Sequence, residues 1–138
     1  MDNLTRAQRS LCMSRVRNAN TGLELLLRRE LHRCGLRYAL HRKDLSGTPD
    51  IVFTTAKVAV FVNGDFWHGF GFSRWRHKLP TFWRQKIELN RRRDQRNTRK
   101  LQRSGWHVIT IWQHQLERDL DGCVDRVVEC LTNRKHCR

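Results

Sequence analysis

Only two of the 138 residues are proline, Pro49 and Pro80, and only one is tyrosine. Long apolar runs are missing. No stretch reaches the roughly 18 apolar residues of a membrane helix, no basic amphipathic helix has a clean apolar face, and no lipidation signal is present, so no membrane partner is expected. Repeats, low-complexity tracts and Pro/Gly/Ser linkers are also absent, which leaves one domain as the working assumption. The first twenty residues, MDNLTRAQRSLCMSRVRNAN, lack the apolar core of a signal peptide. The five cysteines form no CxxC pair, and their odd number suits free thiols in a reducing compartment, so a cytoplasmic chain is expected. Cys130, His136 and Cys137 make a poor zinc site, which wants four well-spaced ligands. Acids are scarce as well: 13 against 28 lysines and arginines, a net charge of +15 and a pI near 11.1. Such an excess implies a polyanionic partner, nucleic acid first among them.

What is present falls into a short series of elements. Leu23, Leu26, Leu27, Leu31 and Cys34 recur at helical spacing, Thr21 and Glu24 match a capping box, and Gly35 sits where a helix would stop, which predicts a helix over Thr21 to Cys34. Leu36 to Leu40, Asp50 to Phe53 and Lys57 to Val62 read as strands separated by the turn signals LSGTP and TTA. Thr81 to Ser104 is charged and rich in helix formers, with Gly105 as its C-cap. Trp106 to Trp112 alternates as a fourth strand, and Leu120, Val124, Val127, Val128 and Leu131 mark a closing helix. The order predicts an α/β or α+β domain around a small mixed sheet flanked by helices, with the long helix as a crossover. A basic arm over 1–20, the domain over 21–133 and a short tail over 134–138 are the expected divisions, the arm ordering only on a partner.

Three features carry chemistry. The GTPD turn, Gly47 to Asp50, puts a carboxylate at a strand mouth, where it is either a plain turn aspartate or a ligand for a hard cation such as magnesium. Across the TTA turn the next strand should run antiparallel and bring Val62 and Asn63 near Asp50. Seven of the twelve aromatics, Phe66, Trp67, Phe70, Phe72, Trp75, Phe82 and Trp83, fall within 18 residues, interleaved with Arg74, Arg76, His77 and Lys78. Aromatic faces stack on bases while cations meet phosphates. The competing assignment is a small core under a loop, which would take most of Phe70, Phe72 and Phe82. The predicted long helix holds nine basic residues, Lys86 and Arg92 included, against Glu88 and Asp94, and reads as a phosphate track.

Asp50 and the following strand resemble the PD-(D/E)xK nuclease core, although the usual second acid and lysine are absent and their strand offers Phe61, Val62 and Asn63. The ordered set MSRVRNANTGLE, GTPDIVF, VAVFVNGDFWHG, FWRQKIELNRRRDQRN and GWHVITIW is more specific. Running from Arg9 to Arg118, it resembles the very-short-patch mismatch-repair (Vsr) endonucleases over about four-fifths of the chain. That resemblance implies a restriction-endonuclease-like fold and a magnesium-dependent nick on the 5′ side of the thymine in a T:G mismatch left by 5-methylcytosine deamination. It implies Asp50 as metal-binding carboxylate, Val62 as donor of a backbone carbonyl to the metal, His68 as catalytic base and Glu24 as the acid that orients it. Asn63 stands where relatives often have histidine or aspartate; it can orient a water but not take its proton. Glu24 is equally a capping-box residue. Phe66, Trp67 and Trp83 match aromatics that intercalate beside the mismatch. Lys86, Arg92 and the arginine that follows Ser14 in MSRVRN, Arg15, are expected on the DNA. A monomer meeting duplex DNA, and mismatch-repair factors as further partners, complete what the resemblance implies. A restriction-like or branched-DNA nuclease, and a basic DNA-binding module whose site has decayed, are the alternatives.

Many relatives carry a structural zinc on cysteines and a histidine. The matching positions here hold Asp65, Phe70, Phe72 and His114, so no structural zinc is expected, and an Asp65–His114 hydrogen-bonded pair over a Phe70/Phe72 cluster is expected to fix the same loop. Such a charge-assisted bond is worth on the order of 1–3 kcal/mol. Elemental analysis of the purified protein should show no stoichiometric zinc; a stoichiometric signal would overturn the substitution.

Overall fold

The run Val58 to Val62 does not alternate between apolar and polar, and a strand of that kind needs cover on both faces. In the computed structural model, which describes residues 22–66 and 68–136, it becomes the hub of the sheet. The strands are β1 (Ala39–Leu40), β2 (Ile51–Phe53), β3 (Val58–Asn63) and β4 (His107–Trp112), in spatial order β1-β2-β3-β4. β1, β2 and β3 pair antiparallel, and β3 pairs parallel with β4 from Val58↔His107 to Asn63↔Trp112. The helices are α1 (Gly22–Arg33), α2 (Phe72–Trp75), α3 (Thr81–Arg103), α4 (Gln113–Arg118) and α5 (Leu120–His136), with a 3₁₀ turn at Arg76–Lys78. A parallel pair needs a crossover, and the long helix α3 supplies it as expected.

One sheet face carries Ile51, Phe53, Val58, Val60, Ile109 and Ile111 against Leu27 and Leu31 of α1, Leu116 of α4, and Val124, Val127 and Leu131 of α5. Burial of each aliphatic side chain favours the fold by about 1.5–3 kcal/mol, which makes this cluster the main stabiliser. Val52 and Ala59, alternating with those residues, are fully buried on the opposite side, where Asn97 of α3 and Phe61 both lie close to Gly47. The result is a four-stranded mixed sheet flanked by helices, a restriction-endonuclease-like arrangement. Among the described residues no helix is long and apolar enough to cross a membrane.

Both glycine stops behave as expected. Gly35 (φ 85) and Gly105 (φ 90) adopt the left-handed conformation; Leu36 N–H bonds Leu31 O at 3.1 Å, and Trp106 N–H bonds Leu101 O at 3.0 Å. These closures satisfy the last helical carbonyls and turn the chain into the next segment. The first strand is shorter than Leu36 to Leu40. Tyr38 there sends its hydroxyl to Arg28 O at 2.8 Å and its ring against Phe53, so the segment docks by side chain before β1 pairs. Two short helices, α2 and α4, were not expected; neither is long enough to show helical periodicity. α5 runs to His136, past residue 133, and Arg134 donates to Ala56 O at 3.1 Å and Gly105 O at 2.8 Å. The arm with its Arg15, and Thr21 after it, lie outside the described residues, as does Trp67.

Gly69 (φ 71) turns the chain under α3. An added Cβ would lie 2.6 Å from Arg91 Cδ and 2.9 Å from Cγ2 of the fully buried Ile87. Gly69→Ala should therefore cost about 1–3 kcal/mol from strain and clash together, read from the urea midpoint. An unchanged midpoint would show that α3 yields freely at this point.

Candidate active site

The GTPD turn is built from two left-handed residues, Gly47 (φ 80) and Thr48 (φ 51), with Thr48 N–H on Leu45 O at 3.0 Å. Pro49 is buried and Asp50 enters β2, its N–H on Val60 O at 3.0 Å. Register Ile51↔Val60 leaves the end of β3 without a ladder partner on this side. The Asp50 carboxylate fills the gap: Val62 N–H donates to its Oδ2 at 2.7 Å. The expected approach of Val62 to Asp50 is thus made through the Val62 amide.

Glu24 lies on the first turn of α1 and is almost fully buried, at 1% exposure. Its Oε2 accepts from Arg28 at 3.2 Å and faces His41 Nε2, also at 3.2 Å. His41 Nε2 is 3.8 Å from Asp50 Oδ1. The three side chains place one ligand atom each within 4.8 Å of one another, an arrangement that can hold a metal ion. Burial pushes the Asp50 carboxyl up to about 6; the neighbouring Glu24 carboxylate adds to the rise, while the Val62 N–H and His41 oppose it. A like charge beside a carboxyl disfavours its ionised form, so the neighbouring Glu24 works in the same direction as burial on Asp50.

His68 belongs to a second cluster. Its Nδ1 is 2.6 Å from Asp94 Oδ2 on α3, and its backbone N–H bonds Gly64 O at 3.2 Å. With Asp94 accepting from Nδ1–H, Nε2 carries the lone pair and stands without a partner among the described residues. The expected pairing of Glu24 with His68 is corrected by this geometry. α1 delivers Glu24 to His41 and Arg28, and the carboxylate on the histidine ring comes from the crossover helix. Asn63, only 8% exposed, lines the same cleft of about 510 Å³ as His68, Asp94, Arg91, Arg99 and Trp112. Val62 and Asn63 at the end of β3 therefore link the two clusters, one residue reaching each.

The loop between β3 and α2 is pinned as expected in part. His114 Nδ1 meets Asp65 Oδ1 at 2.9 Å, and Phe70 packs on the His114 ring at 4.3 Å and on Trp112 at 5.1 Å. Phe72 goes elsewhere. It is buried edge-to-face on Trp75, with Arg91 5.5 Å above its ring.

The aromatic assignments also shift. Trp83 is 8% exposed and, with Phe66 and Leu79, forms a small satellite core; Phe66 stacks on Trp75 at 5.7 Å and meets Trp83 edge-on at 6.4 Å. Phe82, expected in that core, is 65% exposed, as is Leu89 seven residues on along α3. Adjacent helical positions point about 100° apart, so burying Trp83 turns Phe82 outward. Lys86 lies 6.0 Å from the Trp83 ring, and the exposed Arg92 faces Glu88 at 3.8 Å.

Sequence reading missed His41 and Asp94. A histidine closing a strand nine residues before Asp50 was one available signal. A single acid within RRRDQR was the other.

A buried Glu24, a partly buried Asp50 and a carboxylate-held histidine beside a strongly basic helix are suited to phosphodiester cleavage, and comparison with known proteins specifies the class. The family model for the DNA mismatch endonuclease Vsr matches residues 1–74. The chain is 45% identical over 119 residues to the type II nicking enzyme V.XorIIP of Xanthomonas oryzae pv. oryzae, covering 83% of this chain and 86% of that one. It is 35% identical over 138 residues to the nicking enzyme V.NmeDIP of Neisseria meningitidis serogroup C, with 98% and 93% covered. It is 32% identical over 133 residues to the DNA mismatch endonuclease Vsr of Escherichia coli K12, with 94% and 81% covered. This chain is a DNA endonuclease. It belongs to the Vsr family.

The raised Asp50 value has a definite sign. Protonated Asp50 favours the metal-free fold below about pH 4, and this contribution is lost as pH rises through about 6, beyond which the buried charge costs about 1–3 kcal/mol. Asp50→Asn, whose amide oxygen still accepts from Val62, should raise the thermal midpoint in chelator near pH 8 and leave it little changed near pH 4. No gain near pH 8 would mean that Val62 and His41 fully offset the burial.

Proposed function

We propose that this endonuclease nicks one strand of duplex DNA on the 5′ side of the thymine in T:G mismatches, with magnesium as cofactor, acting as a monomer in the cytoplasm. The observation that carries the chemistry is the His68–Asp94 couple, whose Nε2 has no partner among the described residues. Asp50 and the Val62 carbonyl would hold the divalent cation, whose charge would polarise the scissile phosphate and favour deprotonation of the attacking water. The donors fit a cation: the Glu24 and Asp50 carboxylates each bring an oxygen into one cluster, within 4.8 Å of one another. His68 Nε2 takes the proton of the attacking water, and Asp94 fixes the ring tautomer and steadies the imidazolium that results. Asn63 is positioned to hold that water by its amide.

Recognition rests on charge and stacking. Arg91, Arg92, Arg93, Arg96, Arg99, Lys100 and Arg103 give α3 a cationic track for the backbone. Phe66 is expected to exchange its stack on Trp75 for one on a base step. An aromatic pair is worth about 0.5–1.5 kcal/mol and a base on an aromatic about 1–3 kcal/mol, so the exchange is favourable where the step opens cheaply, as at a mispair. The mismatch name of the Escherichia coli relative and the nicking names of the others support this reading.

Single-turnover assays with magnesium on matched, T:G-mismatched and branched duplexes test it. Wild type should nick only the T:G duplex, His68→Ala and Asp94→Asn should each lose about a hundredfold or more in rate, and binding of both variants should stay near wild type. Equal nicking of the matched duplex would remove the mismatch from the reading, and preference for the branched one would replace it.

A further inference from the structure

His41 has no part in the chemistry above, yet three separate elements bring it into the acid cluster. It follows β1 directly, at φ 46, a left-handed backbone uncommon for any residue but glycine. Its N–H is tied to Asp50 O at 3.1 Å, which sets the ring beside the carboxylates. Asp50 Oδ2 is occupied by the Val62 N–H, so Oδ1 is the oxygen on the His41 side, 3.8 Å from Nε2 and beyond hydrogen-bonding reach. Glu24 Oε2 is 3.2 Å from the same nitrogen. Around an ion with bonds of about 2.1 Å, neighbouring ligands lie about 3 Å apart and opposite ligands about 4.2 Å apart. The separations of His41 Nε2 from Glu24 and Asp50 fall within that range.

We propose that His41 is a nitrogen ligand of the catalytic divalent cation, and that with Glu24 and Asp50 it forms a one-nitrogen, two-carboxylate site that holds manganese more tightly than magnesium. The inference rests on the metal-dependent endonuclease reading and changes its ligand set. Magnesium prefers oxygen donors and keeps its waters, whereas imidazole gains affinity along the first transition series. A site of oxygens alone at this position would show no strong preference for manganese. The nitrogen supplies one. Glu24, buried on α1, then acts as a ligand in place of the ring-orienting role that Asp94 fills.

The test uses the full chain without DNA, with manganese and magnesium titrated separately by calorimetry and the manganese-loaded protein examined by electron spin-echo spectroscopy. Variants are His41→Ala, Asp50→Asn and His41→Asn, the last tolerating the left-handed backbone and offering only an amide oxygen. Wild type should bind manganese about tenfold or more tighter than magnesium and show modulation from a directly coordinated nitrogen. Both His41 variants should lose that modulation and bring the preference below about threefold, chiefly by losing manganese affinity, with melting midpoints confirming that they fold. Unchanged preference and modulation in His41→Asn, with binding of both ions abolished in Asp50→Asn, would overturn the ligand role and leave the site reading intact. Failure of wild type to bind either ion would overturn both.

Discussion

The bond from Val62 N–H to Asp50 Oδ2, at 2.7 Å, holds the site in register with the fold. β3 outruns β2 because Pro49, the residue before β2's neighbour Asp50, has no N–H and the chain there turns away through Gly47 and Thr48. Past that point an amide of a central strand would be left unpaired near the core, at a cost of about 1–3 kcal/mol. The carboxylate removes that cost, and in doing so it is fixed both in distance and in which oxygen it turns outward. Everything the candidate chemistry needs from Asp50 follows from a backbone group that had to be satisfied.

The same strand end organises the second cluster. β3 is held by β2 as far as Val60 and by the parallel β4 to its end at Asn63, so its last residues are placed by the β4 ladder on one side and by the Asp50 carboxylate on Val62 on the other. Asn63 then starts a loop whose course is set by short local bonds: His68 N–H on Gly64 O, Phe70 N–H on Asp65 O at 2.9 Å, and Trp75 Nε1–H on Phe70 O at 3.0 Å. The Asp65–His114 pair ties this loop to the start of α4, immediately beyond β4. His68 is therefore framed between the end of β3, the crossover helix that supplies Asp94, and the hydrogen-bonded Asp65–His114 pair.

Much of this was legible in the residues. Val58 to Val62 declared a doubly covered strand, glycines 35 and 105 declared helix ends, and the TTA turn declared the hairpin that brings Val62 to Asp50. Asp65 and His114 were paired from substitutions at positions that relatives use for zinc. Three things were not legible, for one physical reason: they depend on the rotational setting of helices. Which acid meets His68 is decided by the phase of α3, which turns Asp94 inward from a run of arginines. Whether Phe82 or Trp83 is buried is decided by that same phase. Glu24 has two sensible partners in one dimension, and only the docking of α1 on the core, through Leu27 and Leu31, directs it to His41.

That phase also explains how one basic helix serves two ends. Ile87 and Leu101, both nearly free of solvent contact, and Trp83 fix the inner stripe of α3; Arg91, Asp94 and Arg99 line the cleft with His68, and Arg92, Arg93, Arg96, Lys100 and Arg103 are exposed. Arg91 also lays its guanidinium over the Phe72 ring while its stem passes Gly69. A helix that was merely a solvated charged rod would have no reason to place an aspartate among arginines at the one position that reaches the histidine. In a chain with so few acids, the buried or partly buried Glu24, Asp50 and Asp94 are all committed to the two clusters. The cationic surplus that suits DNA thus goes together with a scarcity of carboxylates, of which three are held in the two candidate clusters.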